Sequence, residues 1–278
     1  MPQHDDLTTR AYYDKLGDAE WHRLTRDLPG RVSFEVHRRF LSRFVQPGQR
    51  VLEVGAGPGR FTTELAALGA RIVVTDFSPV QLELNRDYVG NTPAEESVES
   101  RELLDVRDTS RYADGEFDLV VVYGGPLSYA FERTDEALKG LLRITATDGG
   151  VVASVMSMLG TWRHHLASVV DLAAQVGEDA NDAVIRTGDL RHIGAEHACQ
   201  MFRAREVEQL VVRCGGRVIT ASASNWASLG NPAALEQLES DPERWRRFLE
   251  HEVSACAEPG ALDGGTHLLF AARSVKAG

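Results

Sequence analysis

From residue 30 onward, short apolar runs alternate with amphipathic stretches. Val32, Val36, Phe40, Leu41 and Phe44 recur at helical spacing and predict a helix before the first strand. A strand over residues 51–54 then leads into a helix over 61–68. A second strand over 71–75 is followed by a helix that Pro79, a favourable first-turn residue, starts and that runs to about residue 88. A third strand covers 98–104. The run Phe117-Asp118-Leu119-Val120-Val121-Val122 reads as a strand covered on both faces. A helix over 134–145 and a strand over 151–155 complete the series. Repeated strand-helix-strand units imply a parallel sheet with right-handed crossovers.

The alternation lapses after residue 156. A helix is expected over 161–176, irregular chain to about 203, and a helix over 205–214 closed by Gly215-Gly216. A strand over 217–223, a mostly helical stretch over 232–256 and a strand over 266–272 follow. With 278 residues, one domain carrying an elaboration is favoured over two independent ones. The expected division is an N-terminal helical segment over 1–30 and a main domain over 31–278, with a cap insertion at about 157–205.

Composition narrows the partners. The net charge of -11, spread along the chain, argues against nucleic acid and anionic membranes. No stretch approaches a membrane span, and the polar, acidic start does not resemble a signal peptide. Cys199, Cys214 and Cys256 are far apart and form no C-x-x-C pair, so neither a metal site nor a disulfide framework is expected. A cytoplasmic protein fits these features. The oligomeric state is not legible.

The chemistry concentrates in Glu53-Val54-Gly55-Ala56-Gly57-Pro58-Gly59-Arg60. Glycines at a strand's carboxyl end let a ligand approach the backbone, and the next helix turns its free N–H groups towards the same space. About twenty residues after the first glycine, the second strand ends in Asp76, where a carboxylate can meet ribose hydroxyls. A dinucleotide loop wants G-x-G-x-x-G, but Arg60 holds the place of its third glycine.

The spacing E-x-G-x-G-x-G instead resembles motif I of the class I S-adenosylmethionine-dependent methyltransferases, and the strand and helix order over most of residues 31–273 is similar to theirs. The resemblance implies an α/β fold: a Rossmann-like, seven-stranded, mostly parallel sheet flanked by helices, with a helical lid and insertion, and the seventh strand antiparallel between the fifth and sixth. It implies S-adenosylmethionine as cofactor, with S-adenosylhomocysteine as product. By this resemblance Glu53 lies near the cofactor's ammonium, Asp76 at the ribose, and Asp105 with Val106 at the adenine. Gly55, Ala56, Gly57 and Gly59 form the loop beneath it. Phe77, Ser78 and Gln81 pack the adenine or bond the ribose, and Tyr123 with Gly124 pass the methionine. Tyr13, in the aromatic N-terminal segment, closes over the methionine carboxylate.

The acceptor side is less legible. Methyl transfer mainly requires that two bound reactants be aligned, which supplies up to about 7–11 kcal/mol, so no fixed base is demanded. His164 is the favoured candidate base, with His165, His192 and His197 behind it. Trp21, Tyr129 and Arg203 are candidate acceptor contacts. Arg186, Arg191, Arg203 and Arg205 make the insertion locally basic, so an acidic small molecule is conceivable. The expected function is methylation of a small-molecule oxygen or nitrogen. A cofactor-consuming cyclase or lyase on the same fold, a dinucleotide-dependent oxidoreductase and a non-catalytic binding or scaffold protein are the alternatives.

Overall fold

The structure is a computed structural model that describes residues 4–195 and 197–275. Three N-terminal helices, α1 (His4–Leu16), α2 (Ala19–Arg23) and α3 (Leu28–Leu41), precede the sheet. Then come β1 (Arg50–Val54), α4 (Arg60–Ala67), β2 (Arg71–Asp76), α5 (Pro79–Val89), β3 (Val98–Leu103), β4 (Phe117–Val122), α6 (Thr134–Ile144) and β5 (Thr145–Met156). An insertion of α7 (Met158–His164), α8 (Leu166–Val176) and α9 (Glu178–Thr187) separates β5 from α10 (Ala204–Arg213) and β6 (Gly216–Ala223). The described chain ends with α11 (Pro232–Glu239), α12 (Pro242–Cys256) and β7 (His267–Ser274).

Seven strands form one sheet in the order β3-β2-β1-β4-β5-β7-β6. The pairs from β3 to β5 are parallel, and β7 runs antiparallel to both β5 and β6. The expected Rossmann-like architecture is therefore the observed one.

Alternation along the strands builds two cores. Leu52, Val54, Val120 and Val122 face one side, where α6 and α10 cover them. Val51, Ile72, Leu119 and Val121 face the other, against Phe40, Phe61 and Leu65. Successive strand side chains point to opposite faces, and both faces are covered, so the strands read as continuous apolar runs. The amphipathic face expected on α3 is present: Val32, Val36, Phe40 and Leu41 are buried.

The elements differ from expectation in several places. β5 begins at Thr145 because Phe117 pairs with that residue before the register shifts to Leu119 against Gly150. The helix expected over 161–176 is two, breaking at His165, whose backbone leaves the helical region. Part of the stretch expected to be irregular is α9, bounded by Gly177 and Gly188 at positive φ. The long C-terminal helix is also split, where Asp241 caps α12 by accepting from the backbone N–H groups of Glu243 and Arg244.

Candidate functional site

The turn from β1 into α4 is held by backbone. The N–H groups of Gly55 and Ala56 donate to the Thr75 carbonyl at 2.9 and 3.0 Å. Gly55 has φ of +72°, and a β-carbon there would lie 2.5 Å from Cγ of Pro126. Only glycine satisfies both limits. Asp76, at the end of β2, closes the loop: its carboxylate accepts from the N–H groups of Gly57 and Ser78, each at 2.8 Å. Burial pushes its pKa up to about 6, while those two backbone donors pull it down.

Gly55, Gly57, Asp76 and Ser78 line a cavity at the carboxyl ends of the strands. Phe77, Asp105 and Val106 form its wall on the β3 side, while Tyr123 and Gly124 line it after β4. Tyr13 on α1 and Tyr129 complete it from above. Gln81 reaches in from α5, its Nε2 donating to the Tyr13 carbonyl at 2.9 Å. That bond orients the amide, leaving Oε1 buried with no hydrogen-bond partner among the described residues. A buried unpaired acceptor carries a desolvation cost unless a ligand supplies a donor. The positive-φ cradle at Gly57, the backbone-anchored carboxylate and this open acceptor fit a hydroxyl-rich nucleoside.

Several expected contacts lie elsewhere. Glu53 sits beneath the loop rather than in the cavity wall, accepting from Oγ1 of Thr62 at 2.7 Å, and burial raises its pKa to about 8. Ala56 and Gly59 shape the turn from behind; a β-carbon on Gly59 would meet Val89 at 2.5 Å. Asp105 does line the cavity, but Arg107 already grips it with Nε at 2.8 Å and Nη2 at 2.6 Å, which holds its carboxyl low. Arg60 turns away: its guanidinium lies 4.0 Å above the Trp21 ring, and its Nε donates to the Trp21 carbonyl at 2.8 Å. Trp21 also stacks on Tyr88 at 4.1 Å and lines neither this cavity nor its neighbour, so it is a fastener of α2 and not an acceptor contact.

A second cavity, of about 450 Å³, opens over the ends of β5 and β7. Arg23, Met156, His164, His197, Cys199 and Thr266 are among its walls. His164 lies here, exposed, with its ring against His165 at 4.6 Å. Tyr129 and His197 stand between the two cavities. Tyr13 and Tyr129 share a hydrogen bond of 2.7 Å, and the Tyr129 hydroxyl lies 2.8 Å from Nε2 of His197. Tyr12 stacks on the His197 ring at 4.0 Å. Burial, with the nearby Arg23 charge, depresses the His197 pKa, so the imidazole is neutral at pH 7. Arg203 is not an acceptor contact: it pairs with Glu206 at 3.2 Å and donates to the Ile185 carbonyl at 2.5 Å. Arg191 is held by Asp189 and Glu132.

Sequence reasoning missed Glu20 and Pro126, which line the first cavity, and passed over Arg23. Glu20 stands 3.8 Å from where a Gly57 β-carbon would be, and both its oxygens accept from Nε of Arg23 at 2.8 Å. No local signal marks these residues, because only the docking of α2 brings them to the loop. The three cysteines are free and buried.

The first cavity lies where the strand order reverses, between β1 and β4, the switch point at which open α/β sheets bind ligands. Fold and site together define a Rossmann-like protein with a nucleoside crevice. Comparison with known proteins sharpens this. Residues 51–149 match the family model described as a methyltransferase domain. Over 147 residues the chain is 33% identical to a demethylmenaquinone methyltransferase of Clavibacter sepedonicus, a match covering 51% of this chain and 55% of the relative. Over 109 residues it is 30% identical to a protein N-lysine methyltransferase of Danio rerio, covering 38% and 49%. The chain thus spans about half the length of these curated relatives. A putative methyltransferase solved in complex with the Haloferax volcanii Trm112 methyltransferase activator shares the fold at a TM-score of 0.60 and 18% identity, covering 100% of this chain and 99% of that one. Residues 51–149 thus match a methyltransferase domain, and the chain shares its fold with a solved S-adenosylmethionine-dependent methyltransferase from Mesorhizobium loti at a TM-score of 0.53 and 15% identity, covering 82% of this chain and 92% of that one.

Proposed function

We propose that this protein methylates an oxygen or nitrogen of a small molecule held in the second cavity. The observation that carries the reading is the pair of adjoining cavities, one floored by the glycine loop and one walled by residues of the insertion, with Tyr129 and His197 between them. When bound, S-adenosylmethionine supplies a methyl group on a sulfonium that is already activated for in-line displacement.

The chain's own task is to hold, orient and exclude water. Asp76 would accept from the ribose hydroxyls while its backbone bonds to Gly57 and Ser78 fix its position. The open Oε1 of Gln81 would take a donor from the same region. Phe77 and Val106 offer apolar walls to the base. Gly124, where a β-carbon would meet nothing within 4 Å, leaves room beside the reacting end. Tyr13 and the rest of α1 and α2 act as a cover, and the insertion walls the acceptor. Such enclosure strengthens electrostatic interactions and keeps water from competing. His197, neutral and between the cavities, is better placed than His164 to take a proton from the acceptor.

Calorimetric titration tests the cofactor side: S-adenosylhomocysteine should bind and NADH should not. Incubation with S-adenosylmethionine and no acceptor separates methyl transfer from cofactor breakdown, since only a cyclase or lyase would consume it. Consumption without acceptor would overturn the reading.

A further inference from the structure

Arg23 and its partner Glu20 link the two cavities: Glu20 lines the first and Arg23 the second. The Nε of Arg23 is spent on Glu20, at 2.8 Å to each oxygen. Neither terminal nitrogen, Nη1 nor Nη2, has a hydrogen-bond partner among the described residues. A guanidinium carries five N–H donors in a planar fork, and four of them belong to these two nitrogens. The side chain is 37% accessible, and it lines the second cavity.

Glu20 offsets the charge through Nε alone, and the other groups around Arg23 leave its terminal nitrogens unengaged. Tyr13, Tyr129, His37, His197 and His267 all feel the Arg23 cation, and each is uncharged at neutral pH. Asp27, the carboxylate on the cavity wall, is occupied as the cap of α3, accepting from the Gly30 N–H at 2.8 Å, and Arg26 adds a second cation beside it. In a chain of net charge -11, two arginines line this cavity against one carboxylate, which is already engaged as a cap.

We propose that the second cavity takes a carboxylate-bearing small molecule, anchored by the free fork of Arg23. This rests on the reading of that cavity as the acceptor site. A carboxylate matches two parallel N–H donors, and such bidentate pairs are among the stronger hydrogen bonds proteins make. The anchor would set one end of the acceptor at Arg23 and leave its nucleophile towards Tyr129 and His197. The arginines of the insertion are not the anchors: Arg186, Arg191, Arg203 and Arg205 do not line this cavity, and Arg191 and Arg203 are committed to protein partners.

The test uses the full chain saturated with S-adenosylhomocysteine and titrated with acetate, benzoate and 4-hydroxybenzoate, with benzamide as the uncharged counterpart. The carboxylates should bind and benzamide should not. Arg23→Gln should weaken the carboxylates by about 10- to 150-fold, the range for hydrogen bonds to a charged group. Arg23→Lys, which keeps the charge and loses the fork, should fall between, and it carries the test if the glutamine variant does not fold. Equal binding of benzamide, or no carboxylate binding to the wild type, would overturn the proposal. So would a loss of S-adenosylhomocysteine affinity in the variants that 5′-methylthioadenosine does not share, because the fork would then serve the cofactor's own carboxylate. Failure of S-adenosylhomocysteine to bind the wild type would instead defeat the reading of the first cavity.

Discussion

The two halves of the sheet build their cavities by different means. On the β1–β4 side the floor of the cavity is backbone: glycines at positive φ and N–H groups tied to Thr75 and Asp76, in one short loop between strand and helix. On the β5–β7 side it is side chains from distant segments, with Arg23, Met156, His164, His197 and Thr266 converging. A backbone site needs a fixed local sequence, and it tolerates little change. A side-chain site can be rebuilt by substitution without disturbing the fold, which suits one cofactor and variable acceptors.

The sharpest way to break that contrast is Gly55→Ala. The added carbon meets Pro126 at 2.5 Å in a left-handed backbone. Left-handed strain of about 1–2 kcal/mol and overpacking of about 1–3 kcal/mol together predict a loss of about 2–5 kcal/mol, read by denaturant unfolding. A variant as stable as wild type would mean that the loop is less rigid than its backbone bonds imply.

Asp76→Ala should come next. Removing hydrogen bonds that involve a charged group costs about 1.5–3 kcal/mol, so S-adenosylhomocysteine should bind roughly 10- to 150-fold more weakly. An unchanged dissociation constant would remove Asp76 from the cofactor's contacts.

Glu53 separates fold from site on the same loop. Folded, it keeps its proton to about pH 8, against 4.5 for the free side chain. Between those values the folded state binds more protons than the unfolded state, so this group's stabilisation is complete below 4.5 and is lost as pH rises through 8. Asp76 acts with the same sign, but only up to about pH 6, and the buried histidines, whose ordinary value is 6.5, oppose it at lower pH. Between pH 6.5 and 8, wild-type stability should therefore fall by up to about 1.4 kcal/mol per pH unit, and Glu53→Gln should flatten that slope. An identical slope in the variant would assign the loss to other groups.

The smallest effect concerns the cover. Trp21→Ala removes the stack on Tyr88 and the seat of Arg60, each worth about 0.5–1.5 kcal/mol. Hydrogen exchange over residues 19–23 should quicken, and unchanged exchange would mean that these contacts do not fasten α2.

Legibility follows the same division. The alternating strands, the glycine loop and Asp76 are readable because each depends on neighbours in sequence: period-two burial, a positive φ, a strand end. Tyr13, Tyr123 and Gly124 are expected at the cofactor by resemblance and Tyr129 as an acceptor contact, and all four line the first cavity. Glu53 and Trp21 are misplaced because strand ends and aromatic helices show which residues matter, but not whether they face a cavity or the packing beneath it. The basic insertion points to an acidic ligand through the wrong arginines. Arg191 and Arg203 find carboxylate or carbonyl partners, and Arg23, at the end of a short N-terminal helix, keeps two nitrogens open.

The sequence by itself determined the sheet, its parallel crossovers and the loop that receives a nucleoside, because hydrophobic periodicity and glycine conformation act over a few residues. Tertiary structure alone decided which carboxylates stay charged, which histidine stands between the cavities and which cation keeps its terminal nitrogens open. Those properties depend on burial and on partners many residues away: Tyr129 on His197, Glu20 beside Gly57, and Arg23 against a wall of neutral rings.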